Sequence, residues 1–156
     1  MTLTMLSRDN ILAQRGKLRT DVVEVPEWGG SVIVLEMSGT QRDQFEADIV
    51  THGKNGNTSM NLKNIRAKLV ARTVVDPSDF DVMQQEDGSI IATLKPGSKP
   101  HRMFTDLEVH DLGELSASAL HRVFMASQVL SGITEADVKE LVGELKNDQN
   151  GDSGFD

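Results

Sequence analysis

Four histidines, His52, His101, His110 and His121, are the side chains best suited to proton transfer or metal ligation near neutral pH. No two lie at the i, i+4 spacing that puts paired ligands on one helical face, and no His-Glu-x-x-His run occurs. His101 and His110 flank a helix cap, where two rings could meet, but isolated histidines more often sit on surfaces or at helix ends. The chain has no cysteine, which removes disulfides, thiolate nucleophiles and Cys-ligated zinc together and fits a reducing cytoplasm. The carboxylates alternate with Lys and Arg or fall in first helical turns, where they favour the helix dipole. Residues 148–156 offer oxygen ligands without the closing glutamate of an EF-hand loop. Gly53, Lys54, Asn55 and Gly56 lack both the Walker spacing and a preceding strand, and no Gly-x-Ser-x-Gly elbow is present. These residues predict no catalytic site, no cofactor and no metal.

The best nucleic-acid candidate is the basic run Lys63, Arg66, Lys68 and Arg72. Against it stand a net charge of −8, which repels phosphate backbones and anionic lipids, and only 4% aromatic residues for stacking bases. The expectation is therefore no nucleic-acid and no membrane partner. A solvated face that balances acidic neighbours explains the basic run. A chain of 156 residues has the size of one domain and can bury a core without staples. No apolar run approaches the roughly 18 residues of a membrane helix, and residues 1–16 lack the apolar centre of a signal peptide.

The elements that must position any site are mostly readable. Ser7 caps a short helix that runs through Arg15 and ends at Gly16. Residues 21–25 and 31–36 are β-branched strands joined by Pro26, Glu27, Trp28, Gly29 and Gly30, a hairpin with a long loop. Thr40 with Asp43 has capping-box spacing, and the following helix puts Phe45 and Ile49, with His52 as a further candidate, on one face. Residues 53–59 have the composition of a mobile loop. Residues 61–75 admit two readings: Leu62, Ile65, Leu69 and Arg72 fit a helical spacing, while Leu69-Val70 and Val74-Val75 also suit a strand, and the expectation is a helix giving way to extended chain before Asp76 and Pro77. Residues 78–100 form an excursion whose hairpin turns at Glu86, Asp87 and Gly88. Thr105 and Glu108 make a second capping box, with Phe104 and Val109 placed for a hydrophobic staple, and Thr134 repeats the device. Leu120, Val123, Phe124, Ser127 and Leu130 form a helical stripe ending at Gly132, and Val138, Leu141, Val142 and Leu145 form another. Three such helices with short connections should pack antiparallel. Residues 147–156 hold one apolar residue and predict a disordered acidic tail.

The expected fold is α+β. An N-terminal β-hairpin and mixed segment pack on a C-terminal group of amphipathic helices in one domain over residues 1–146, with a hairpin inserted at about 78–100. The expected binding residues are Trp28, as an aromatic hairpin tip, and Val138, Leu141, Val142 and Leu145, as the apolar face of the last helix beside the tail.

Three blocks together resemble the tail assembly chaperones of long-tailed bacteriophages. The first runs from Val25-Pro26-Glu27-Trp28-Gly29-Gly30 to Ser38-Gly39-Thr40-Gln41-Arg42-Asp43-Gln44-Phe45. The second is Ile65-Arg66-Ala67-Lys68-Leu69-Val70-Ala71-Arg72-Thr73-Val74-Val75-Asp76. The third opens on Arg102-Met103-Phe104-Thr105-Asp106 and closes on Leu130-Ser131-Gly132. The likeness covers residues 10–145, departs at residues 77–101, and rests on the combination rather than on any one motif. It implies a non-catalytic protein of the host bacterial cytoplasm, absent from the mature virion. Such a protein binds the tape measure protein, keeps it soluble and helps recruit the tail tube protein. The family's longer, frameshifted form would do the recruiting, and Leu145-Lys146-Asn147 is compatible with a slippery codon run. Self-association is a further expectation. Two other classes stay open on the same residues: a minor structural tail or head–tail joining protein, and a small bacterial regulatory adaptor.

Overall fold

The computed structural model describes residues 3–52, 56 and 58–133, with Thr51, His52, Thr58 and Met60 at the level of the backbone. Within them the chain is α+β, as its sequence predicts.

A short helix, α1 (Arg8–Leu12), starts at Ser7, whose side chain accepts from the Asn10 N–H while Asn10 bonds back. Strands β1 (Thr20–Val25) and β2 (Gly30–Leu35) pair antiparallel from Thr20↔Leu35 to Val25↔Gly30. Their link is one 3-10 turn, Pro26–Trp28, closed by Gly29 at φ 73°, a left-handed conformation that costs glycine little.

Helix α2 (Gly39–Ile49) begins two residues earlier than a Thr40 cap would set it. Ser38 is the cap and pairs reciprocally with Gln41, which leaves Thr40 and Asp43 inside the helix. Ser38 wins because its extended backbone turns its hydroxyl onto the free N–H of Gln41. Phe45 and Ile49 are buried on one face, as expected. The segment read as a loop over 53–59 is partly strand: β3 (Val50–His52) pairs with β4 (Thr58–Met60) in a small ladder.

Helix α3 (Ile65–Thr73) follows Asn64, which holds φ 58°, a conformation Asn tolerates better than most residues. The helix passes directly into β5 (Val74–Val75), which pairs with β2 and completes a sheet of order β1-β2-β5. Leu62 precedes the helix and is 48% exposed, while Ala67, Val70 and Ala71 join Leu69 in the core. The single apolar face read from sequence is thus replaced by burial on several sides. Alanines permit close approach of neighbouring elements, so they are covered although they carry little hydropathy signal.

Beyond β5 the chain leaves as a hairpin, β6 (Phe80–Gln84) with β7 (Ile90–Leu94), in register from Phe80↔Leu94 to Gln84↔Ile90. It returns to its point of departure. The Asp76 N–H donates to the His101 carbonyl at 2.8 Å, and Val75 bridges to Arg102. The last described elements are α4 (Val109–Gly113) and α5 (Ala117–Leu130). Glu108 accepts from the Thr105 N–H at 3.0 Å ahead of α4, and Gly132 at φ 70° follows α5.

The main core joins sheet to helices. Val25 and Val34 meet Ala67, Val70, Ala71 and Val74 from the α3–β5 segment, with Leu112, Ala119, Leu120 and Val123 from α4 and α5. Phe104 and Val109 both pack on this cluster, where the staple was expected. A second cluster holds Met37, Phe45, Ile49, Leu69 and Ile133, and a third roots the β6–β7 hairpin through Ile33, Val75, Phe80 and Ala92.

Candidate protein-binding groove

The N-terminal end of α3 and the connection from α4 to α5 do not close on each other. Between them runs an open groove of about 600 Å³, lined by Leu62, Ile65, Ala67, Leu115, Ala117 and Leu120 among others. Its walls follow from local chemistry. Asn64 in the left-handed conformation turns the chain into α3 and sets its own amide against Gly113. A Cβ at Gly113 would lie 2.8 Å from the Asn64 Oδ1, so a larger residue at the end of α4 would displace that side-chain amide. Ser116, accepting from the Ala119 N–H, starts α5 and turns the small side chains of Ala117 and Ser118 to the groove.

One rim is polar. The Arg66 Nε–H donates to His121 Nδ1 at 3.3 Å, and its guanidinium lies 5.5 Å from the Phe124 ring centre. His121 stacks on the same ring with centroids 6.3 Å apart. Leu62 and Leu115 remain 48% and 42% exposed, so the groove presents unburied apolar surface framed by a cation and an imidazole. Such a trough accepts one face of an amphipathic helix, with apolar anchors inside and polar contacts at the edge.

A second concavity, about 320 Å³, has a wholly polar lining of Gln41, Gln44, Asp48, Arg72, Arg102 and Asp106. Its charges pair mainly with one another, although the buried Arg72 Nη1 has no hydrogen-bond partner among the described residues. Arg72 pairs with Asp48, Arg102 donates to Asp106 at 2.8 Å, and Arg72 also lies over the Phe45 ring. The Asp106 carboxyl is held below its ordinary value, chiefly by the Arg102 hydrogen bond.

Trp28 ends the hairpin turn and is 37% exposed, but it does not line the groove. The adjacent Glu27 ties this turn to α5 through Arg122 at 3.0 Å. Val138, Leu141, Val142 and Leu145, with the final helix and the acidic tail, lie outside the described residues. The basic run does not act as one patch: Arg66 belongs to the groove rim, while Arg72 is engaged by Asp48 and Asp106. His101 pairs with Asp79 and His110 with Glu114. Among the described residues no three His, Asp or Glu side chains converge as metal ligands, and no helix is long and apolar enough to cross a membrane.

Sequence reasoning missed the groove. Leu62 and Ile65 carry a helical signal that reads as core, and Leu115 and Ala117 sit in a cap region with no periodicity of their own. No family model, curated protein or solved structure matches the chain.

Proposed function

We propose that this protein is a non-enzymatic tail assembly chaperone of a long-tailed phage that holds a helical segment of the tape measure protein in the groove between α3 and α5. The observation that carries the reading is the groove itself, open, apolar at its floor and about 600 Å³ in volume. A long, largely helical client exposes apolar faces before it is enclosed, and such faces aggregate unless covered. Leu62, Ile65 and Leu115 offer contacts for apolar side chains recurring at helical spacing, and the small side chains of Ala117 and Ser118 let the client backbone approach. The net charge of −8 keeps a loaded complex soluble. Contacts confined to one short trough are also reversible, which a factor that leaves before the tail is finished requires. The three sequence blocks that resemble the family include the residues of α3 and α5 that form the walls. On this reading the protein works in the host cytoplasm, and delivery of tail tube subunits falls to a longer form of the chain.

The test is co-expression with a tape measure protein of a long-tailed phage, taken from the long reading frame next to this gene if one is there, following the soluble fraction and co-purification. Wild type should bring the client into solution, and Leu62→Glu with Leu115→Glu should abolish this while circular dichroism stays native. Both leucines are exposed, so the double variant leaves the core intact. A client indifferent to the wild-type protein would sink the chaperone reading. A client still held by the double variant would remove the groove as its site.

A further inference from the structure

A basic apolar arm and an acidic apolar hairpin leave the same side of the molecule, and neither is covered. Every residue from 3 to 17 is exposed, and α1 buries none of its side chains. Leu3, Met5, Leu6, Ile11 and Leu12 are between 42% and 84% exposed. A five-residue helix has little stability of its own, so a well-formed cap on an unpacked apolar segment marks an element that gains its packing from another surface. The arm carries Arg8, Arg15 and Lys17 against Asp9 alone.

The far half of the β6–β7 hairpin shows the complementary character. Phe80 and Ala92 root it in the core, but Val82, Met83, Ile90 and Ile91 are 43% to 70% exposed. Met83 and Ile91 pair on one face of the projecting end and Val82 and Ile90 lie on the other, so both faces carry apolar side chains. The charges there are Asp81, Glu86 and Asp87, with no cation between Phe80 and Ile91. The two surfaces spring from neighbouring roots: Gly16, Lys17 and Leu18 line one hollow with Phe80, Ala92, Thr93 and Leu94.

We infer that the arm docks on the β6–β7 hairpin of a second copy of this chain, and that the exchange is reciprocal about a two-fold axis. The signs of charge match, both surfaces are apolar, and no described residue of the same chain covers either. Because the roots adjoin, a two-fold that brings one arm to the partner copy's hairpin brings the other pair together too, which doubles every contact. Cations on the arm and carboxylates on the hairpin fix the pairing and oppose arm–arm or hairpin–hairpin contact. The groove between α3 and α5 takes no part, so self-association stands or falls separately from client binding.

Sedimentation equilibrium of the full chain tests this, with Ile11→Glu plus Leu12→Glu as the arm variant and Met83→Glu plus Ile91→Glu as the hairpin variant. All four side chains are exposed, and circular dichroism checks that both variants stay folded. Wild type should be dimeric at about 100 μM, and each variant should dissociate about tenfold or more readily. Mixing the two variants should partly restore the dimer, because the hairpin variant's intact arm meets the arm variant's intact hairpin. A wild-type monomer at that concentration overturns the inference, as does a monomer whose arm resists protease. A dimer that survives either variant, or variants that fail to complement when mixed, overturns it equally.

Discussion

The side-chain oxygens of Thr73 and Ser127 lie 2.8 Å apart where α3 crosses α5, and both residues are fully buried. Each hydroxyl also reaches back along its own helix, Thr73 to the Leu69 carbonyl and Ser127 to the Val123 carbonyl, both at 2.8 Å. Two hydroxyl protons therefore serve three close oxygen pairs. The pair satisfies itself inside an apolar interface and ties the two helices that shape the groove walls.

Two protons make two hydrogen bonds, so Thr73→Val or Ser127→Ala each removes one of them and leaves the remaining hydroxyl on its own helix carbonyl, for about 1 kcal/mol. The double variant loses both. Its destabilisation should match the summed single losses to within about 0.5 kcal/mol in urea unfolding. A larger departure from the sum would mean that the two hydroxyls polarise each other beyond this count.

Leu69 and Leu62 share a face on a helical wheel but not in the fold. Leu69 is fully buried against Met37, Phe45, Ile49 and Ile133, whereas Leu62 stands 48% exposed at the groove. Leu69→Ala should cost about 2–5 kcal/mol through lost burial and the cavity left behind. Leu62→Ala should stay within about 0.5 kcal/mol. Equal losses in chemical denaturation would contradict this placement.

Acid should weaken the fold through Glu36 and Asp106. Burial pushes the Glu36 carboxyl up, but hydrogen bonds from Arg19 and its positive charge outweigh this and hold it below the ordinary 4.5. Asp106 is held below 3.8, first by the Arg102 hydrogen bond and then by the charges of Arg102 and Arg72. A depressed folded pKa favours the folded state above the unfolded pKa, and that contribution is lost as pH falls through the folded value. Unfolding midpoints should thus hold their Glu36 and Asp106 contributions above about pH 4.5 and lose them progressively below it. Glu36→Gln should shallow this acid limb, and an unchanged limb would show that Glu36 does not contribute.

Local chemistry alone determined much of this protein. Ser7 and the Thr105–Glu108 pair mark their helix starts, Phe45 and Ile49 share a buried face, and Glu86-Asp87-Gly88 turns the β6–β7 hairpin, because these signals act within a few residues of chain. Residues 20–35 likewise encode their own hairpin. Tertiary structure decided the rest. The two residues of β5 and the three each of β3 and β4 are strands only because a partner edge is beside them. Ala67 and Ala71 became core because neighbouring elements close in on small side chains, a distance no periodicity encodes. The groove has the same origin. It is the space beside the Asn64–Gly113 contact, so it depends on how two elements about fifty residues apart pack on each other, and short-range sequence patterns carry no record of that.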